Sequence, residues 1–351
     1  MRRLHQTSIE TALCSTSCVA QLPATQEVRY LGIEVGGTKL QFGVATGREA
    51  AFAAFARCDV DRARSAEGIR EQIRGVGGRL AAEHRARAVG IGFGGPVDAT
   101  GGRVLRSFHV EGWDEFPLIA WCEEALGLPT ALGNDADLAG LAEARLGAGR
   151  GHRVVLYSNV GSGIGGSLIV EGRLYAGGRG VVCEIGHLRP GVEADTPDRI
   201  VEHWSSGFGL AAAAQARLRN PGPDDGPWVA DLLARCGSAE QCTGRAVTEA
   251  AAAGNGLAAE VLRAGVRTYG WALAQAATLL GPEVMVIGGG VPQAGEELFF
   301  APLRAEVDRY LYPPLRGTIP IVPAALGEEV VVHGAVLLAA AAEAGEGVRW
   351  P

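Results

Sequence analysis

Glycine clusters at the ends of short apolar strands constrain this chain more than any other feature. Val28–Glu34 reads as a strand, Val35-Gly36-Gly37-Thr38 as a turn and Lys39–Ala45 as a second apolar strand. The same plan recurs at Val154–Ser158, Gly161-Ser162-Gly163-Ile164-Gly165-Gly166 and Ser167–Val170. Val89–Phe93 runs into Gly94-Gly95-Pro96, and Val284–Ile287 into Gly288-Gly289-Gly290. Without Cβ atoms, consecutive backbone N–H groups can converge on phosphate oxygens, with Thr or Ser hydroxyls as further donors. A tight β-turn explains any one of these alone. Four at strand ends, two of them alike, point to a duplicated lobe, each copy supplying one jaw of a phosphate clamp.

Two better-known phosphate motifs do not fit. Gly32-x4-Gly37-Thr38-Lys39 mimics a P-loop but has Thr before Lys, where that motif needs Lys before Ser or Thr. Gly161, Gly163 and Gly166 match G-x-G-x-x-G, as do Gly90, Gly92 and Gly95. That dinucleotide fingerprint needs a helix directly after the turn, whose N-terminus holds the pyrophosphate. The 161–166 turn is instead followed by a strand and a second turn, which disfavours an NAD-dependent enzyme.

With 351 residues, the chain has room for two domains, and its 47% hydrophobic content suits a globular body. Apolar runs are too short and broken for a transmembrane helix. A net charge of −7 argues against nucleic acid as a partner. The seven cysteines (14, 18, 58, 122, 183, 236 and 242) are odd in number and scattered, as expected of free thiols in a reducing, cytoplasmic compartment. Residues 1–27 are polar and read as a disordered extension, without the apolar core of a signal peptide and too short for a DNA-binding domain. Lys39 is the only lysine in the chain.

The run Leu31-Gly32-Ile33-Glu34-Val35-Gly36-Gly37-Thr38-Lys39 resembles the first phosphate motif of the ROK family (repressors, open reading frames and sugar kinases), in its glucokinase-like form. Gly90-Ile91-Gly92-Phe93-Gly94-Gly95-Pro96-Val97-Asp98 and Asn134-Asp135-Ala136 resemble further family motifs. Asn159-Val160-Gly161-Ser162-Gly163-Ile164-Gly165-Gly166 is similar to the second phosphate motif, and Glu184-Ile185-Gly186-His187 to the sugar-binding signature. The resemblance runs in order from about residue 28 to about 345. It implies the actin-like ATPase (ribonuclease H-like) fold, two α/β lobes around a cleft. Residues 28–146 would form the first lobe, joined by a returning C-terminal helix at 332–346, and residues 147–331 the second.

Asp135 carries the chemical expectation. Glu115–Leu126 reads as a helix and Pro129–Leu132 as a strand, after which Asn134-Asp135 opens a second helix ending at Gly147. By position alone, either residue is as well explained as a helix cap. The resemblance makes Asp135 the general base that activates a sugar hydroxyl toward ATP, and the helix N-terminus favours its ionised form. The resemblance also implies sugar contacts for Asn134, Glu184, His187, Glu202, Gly95 and Asp114. Asp98 reads as a turn residue only. The triphosphate would lie on Gly36, Gly37, Thr38, Lys39, Gly161, Ser162 and Gly163, and the adenosine on Gly288, Gly289 and Gly290. The family usually has Asp where this chain has Glu34, which would hold Mg²⁺ through water.

One departure is sharp. Most relatives carry C-x-C-G-x-x-G-C before the residue matching Glu202, and with the His it forms a zinc site. The cysteine positions fall here on Glu193, Asp195 and Ile200, which cannot make a thiolate-rich tetrahedral site, so no structural zinc is expected. The function expected is ATP-dependent phosphorylation of a hexose (glucose-like or an N-acetylhexosamine, the 6-hydroxyl by family default). The alternative is a catalytically silent sugar- and nucleotide-binding sensor. Homodimers are common in the family.

Overall fold

The computed structural model describes residues 27–107 and 110–348. The extension expected over 1–27, with Cys14 and Cys18, lies outside the described residues save for Glu27. Twelve strands occur among them: β1 (Tyr30–Val35), β2 (Lys39–Ala45), β3 (Ala54–Asp59), β4 (Val89–Phe93), β5 (Val97–Asp98), β6 (Arg103–Val104), β7 (Thr130–Asn134), β8 (Val154–Val160), β9 (Ile164–Val170), β10 (Arg173–Tyr175), β11 (Val284–Gly288) and β12 (Ile321–Pro323). They form two five-stranded sheets, ordered β3-β2-β1-β4-β7 and β10-β9-β8-β11-β12, with β5 and β6 a separate hairpin.

The two sheets repeat one plan. In each, the first three strands are antiparallel, the fourth (β4 or β11) pairs in parallel with the first (β1 or β8), and the fifth (β7 or β12) pairs in parallel with the fourth. This is the duplication that the glycine hairpins announced. The central strands are buried on both faces, which explains their nearly unbroken apolar runs.

Register then aligns the strand ends. Val35 pairs with Phe93, and Phe93 with Asn134, so β1, β4 and β7 end in one row. In the second sheet Asn159 pairs with Gly288. Ligands of open α/β sheets bind outside such carboxyl ends. The same geometry brings Gly36, Gly94 and Asp135, each the residue that follows a strand end, to one edge.

The helix Val330–Glu343 packs across β1 and β4 and against the helix Asp135–Arg145. Glycines permit the approach. A Cβ on Gly90 would stand 1.8 Å from the Ala335 carbonyl oxygen, one on Gly32 2.5 Å from that of Val332, and one on Gly334 2.1 Å from that of Leu138. Separate apolar cores fill each half, one around Phe42, Ile91 and Trp113, the other around Leu273, Met285 and Phe299.

Several elements differ from the sequence expectation. The second hairpin is tighter, because β9 begins at Ile164 and only Gly161–Gly163 form the turn. Gly165 and Gly166 are strand residues whose missing Cβ atoms make room for Ala136 and the Cys183 carbonyl. The helix expected from Glu115 starts at Leu118. Glu115 lies in the left-handed region (φ 53°), and Pro117 keeps Phe116 out of helical geometry. The C-terminal helix begins at Val330, two residues early.

Gly90→Ala is expected to lower unfolding stability by about 3 kcal/mol, since backbone rather than a flexible side chain blocks the methyl group. Denaturant titration checks this, and a change under about 0.5 kcal/mol would contradict the packing.

Candidate active site

The helix start at β7 divides its labour between two residues. Asn134 is the cap: its side-chain oxygen accepts from the N–H groups of Ala136 (2.9 Å) and Asp137 (3.2 Å). Its amide nitrogen donates to the Gly95 carbonyl at 3.1 Å, tying this helix to the turn after β4. Asp135 is left with only one of these helix-start donors. One of its oxygens accepts from the Ala136 N–H at 2.8 Å. The other lies 3.5 Å from where a Gly94 Cβ would stand, so Gly94 keeps that face open. Burial pushes the Asp135 carboxyl up to about 6 against the pull of the Ala136 N–H and Asn134, and the Glu184 charge adds to the rise.

Around the first hairpin the charges interlock. The Gly36 N–H donates to the Lys39 carbonyl at 3.1 Å, which closes the turn, while Thr38 is exposed at its tip. Burial raises Glu34 to about 7; Lys39 opposes this, and Asp135 and Glu328 reinforce it. The Lys39 ammonium sits 4.0 Å from the Glu34 carboxylate and 3.6 Å from that of Glu328, which also pairs with Arg57 at 3.1 Å. With its amide nitrogen turned toward them, buried Gln41 donates to Glu34 and, at 3.1 Å, to the Glu328 carbonyl. Neither Gln41 nor Glu328 was flagged by sequence. Gln41 sits in an apolar strand, and Glu328 reaches the hairpin from nearly 300 positions away.

The second hairpin is built onto the expected sugar-binding segment. Gly161 N–H donates to the Gly163 carbonyl at 2.9 Å, and the Gly161 carbonyl accepts from Gly207 N–H at 2.8 Å. Ser206 caps the following helix, Gly207–Arg219, by accepting from Gly209 N–H at 3.1 Å. Glu202, on the short helix Val201–Ser205, accepts from the Ile164 N–H at 2.7 Å. A Cβ on Gly163 would strike that carboxylate at 2.6 Å, which explains the glycine. Glu202 thus touches the hairpin expected to hold phosphate, a link absent from the sequence reading.

Glu184 precedes and His187 ends a single helical turn, Ile185–His187, with His187 N–H donating to the Glu184 carbonyl at 3.0 Å. Both are exposed. Surrounding protein still displaces enough water to raise the Glu184 carboxyl; His187 opposes the rise and Glu202 adds to it. Asp114 is exposed beside buried Trp113, whose loop is held by Arg70: its guanidinium lies over the Trp113 and Phe116 rings and donates to the Gly112 carbonyl at 3.3 Å. Asp98 closes the β5–β6 turn by accepting from Gly101 N–H at 2.8 Å.

A cavity of about 870 Å³ opens from Gly161 and Ser162 to Gly290, walled by Phe208, Thr243 and Glu328 among others. Gly289 (φ 97°) passes so close to Val160 that a Cβ would meet its carbonyl at 2.3 Å. Gly288 ends β11 inside the sheet, so of the three glycines Gly290 is the one that reaches the cavity.

Among the described residues no group of three or more His, Cys, Asp or Glu is arranged to hold a metal ion. The segment between His187 and Glu202 is ordered by other means. Arg189 donates to the Ala194 carbonyl and Arg199 to that of Glu193, both at 3.1 Å, and Val201 N–H closes the base onto Leu188 at 2.9 Å. Mg²⁺ is a different case: hard oxygen donors suit it, and the half-buried carboxylates of Glu34 and Asp135, both held high by burial and Glu34 raised further by the Asp135 charge, present the negative charge that a divalent cation offsets.

Residues 30–342 match the family model described as "ROK family". The chain is 29% identical over 319 residues to the glucokinase of Streptomyces coelicolor, covering 88% of this chain and 96% of that protein. Among solved structures it resembles a ROK family glucokinase from Streptomyces griseus in complex with glucose and AMPPNP (TM-score 0.75, 31% identity, 89% and 99% of the two chains). A ROK hexokinase from Thermus thermophilus is similarly near (TM-score 0.76, 28% identity, 91% and 100%).

Replacing Glu202 with Ala leaves the buried Ile164 N–H unpaired, at a cost of about 1–3 kcal/mol. The KM values for sugar and for ATP are both expected to rise. Steady-state kinetics with each substrate varied checks this, and a rise in the sugar KM alone would mean the hairpin link is without consequence.

Proposed function

The chain belongs to the ROK family, and on that premise we propose that it transfers the γ-phosphoryl group of ATP to a hexose hydroxyl, with Asp135 as general base. The fold is actin-like, two α/β lobes around a cleft. The observation that carries the reading is Asp135 itself: with Asn134 as the helix cap, it keeps one oxygen off the helix N–H groups and stands at the aligned strand ends with its proton affinity lifted toward neutrality. In the proposed reaction a sugar hydroxyl oxygen attacks the γ-phosphorus, its proton passes to the Asp135 carboxylate, and ADP leaves. Phosphoryl transfer asks a protein chiefly for positioning and charge stabilisation. The hairpins at 36–39 and 161–163 would position the triphosphate, and the cavity ending at Gly290 would take the adenosine. Glu34 would hold Mg²⁺ through water, and that ion would supply charge neutralisation on the phosphates. Glu184, His187, Glu202, Asn134, Gly95 and Asp114 would orient the sugar. Asn134 keeps one amide hydrogen for this beyond its bond to Gly95.

We assign a glucose-like hexose or N-acetylhexosamine as substrate and the 6-hydroxyl as acceptor. A cytoplasmic site accords with the free thiols of Cys58, Cys122, Cys183, Cys236 and Cys242, and a homodimer is the proposed assembly. Among the described residues no helix is long and apolar enough to cross a membrane. The lobes are taken as 28–146 with the returning C-terminal helix, and 147–331.

A silent sensor is the second reading. What favours it is the engagement of Lys39 by Glu34 and Glu328, which holds the hairpin's one cation away from a triphosphate. ADP release over a panel of hexoses and amino sugars separates the two. Wild type is expected to turn over at least one sugar, and Asp135→Asn to lose about 10²–10⁴-fold in kcat. Equal turnover by both would remove the base; sugar binding with no turnover by wild type would favour the sensor.

A further inference from the structure

Glu143 lies on the same helix as Asp135, eight residues on, or about 12 Å along the axis. It is fully buried, at 0% exposure, and has no ion-pair partner among the described residues. Its carboxylate instead accepts three backbone N–H groups. One oxygen takes Ala148 at 2.8 Å; the other takes Ala325 and Leu326, each at 2.8 Å. The positions of these donors in the chain are what matter. Ala148 lies on the forward crossing between the two sheets, from the helix Asp135–Arg145 to β8, the only one among the described residues. Ala325 and Leu326 lie on the return crossing, from β12 to the helix Val330–Glu343. Gly147 leaves the space: a Cβ there would stand 2.1 Å from the carboxylate. The N–H groups of Gly147 and Gly149 also donate to the Glu143 carbonyl, at 3.1 and 2.9 Å.

We propose that Glu143 is a positioning residue, the fixed pivot about which the two lobes close on sugar and ATP. Both covalent connections between lobes are held at one point by one carboxylate. Their relative motion is thereby reduced to rotation about that point, with Asp135 rigidly attached to it through a single helix. An ionised carboxylate can accept from all three N–H groups. A glutamine keeps one acceptor oxygen and turns an NH₂ group toward at least one of these donors. This inference rests on the kinase reading for its kinetic consequence but not for its geometry.

The test is Glu143→Gln in the full chain, with two measurements. In kinetics, a loosened pivot populates the closed form less, so the KM values for sugar and ATP are expected to rise together by at least tenfold, with kcat within threefold of wild type. A residue that only stabilised the fold would lower the melting temperature and leave both KM values of the folded fraction unchanged, and that result would overturn the proposal. In native-state hydrogen exchange, which needs no turnover, the wild-type amides of Ala148, Ala325 and Leu326 are expected to be protected together. In the variant all three should exchange at least a hundredfold faster, with β1 and β8 amides unaffected. Should the variant not fold, the wild-type exchange decides: rapid exchange at these three amides would refute the pivot, even if sugar turnover is normal. Joint protection in a protein that phosphorylates no sugar would uphold the pivot while the kinase reading fails.

Discussion

Parallel pairing of β1 with β4 and of β4 with β7 places Val35, Phe93 and Asn134 in one row, and every later feature of the site follows from that alignment. The chain must turn just beyond each strand end. Where it turns with glycine, the backbone is bare; where it turns into a helix, a carboxylate is presented. Because the second sheet repeats the pairing, its own hairpin and the Gly288 end of β11 offer a second bare backbone edge. A cleft with bare backbone on both sides is thus a consequence of topology, and the side chains needed inside it are few.

Those few side chains are mostly acidic, which makes electrostatics the controlling energy. Asp135, Glu34 and Glu184 all bind protons more tightly than free carboxylates, burial being the first cause in each case. For a base this is useful, since a carboxylate with weak proton affinity is a poor acceptor for a hydroxyl proton. For Glu34 it means that the buried charge needs a counter-ion. Lys39 and the Gln41 amide supply part of that, and a divalent cation brought with ATP would supply more. The Lys39–Glu328 pair is largely solvent-facing on its Glu328 side, so it holds the lysine only weakly and can yield to a triphosphate.

Legibility in the sequence followed the range of the interactions concerned. The strands Lys39–Ala45 and Val89–Phe93 were readable to the residue, since apolar runs bounded by glycine are local signals. The Asn134/Asp135 pair was readable only as an ambiguity. Three-dimensional bonds resolved it, because the Asn134 oxygen reaches both the Ala136 and Asp137 N–H groups, whereas Asp135 takes only that of Ala136 with one oxygen. The late helix start at Leu118 was missed because Pro117 outweighs the apolar spacing before it. Gln41, Glu328 and Glu143 were missed for one shared reason. Each has at least one partner far away in the chain, and nothing in the residues beside them marks it. The segment 188–201 showed that its usual ligands were gone, but not that arginine-to-carbonyl bonds order it instead.

The claim that Asp135 is the base meets its most direct test in the pH dependence of kcat/KM for the sugar. The base works only when deprotonated, so the rate should be flat above neutrality. It should fall about tenfold per pH unit once below the Asp135 value of about 6. Glu34, at about 7, can shift where that limb begins but cannot abolish it. A profile that stays flat down to pH 5, with the protein still folded, would contradict the account.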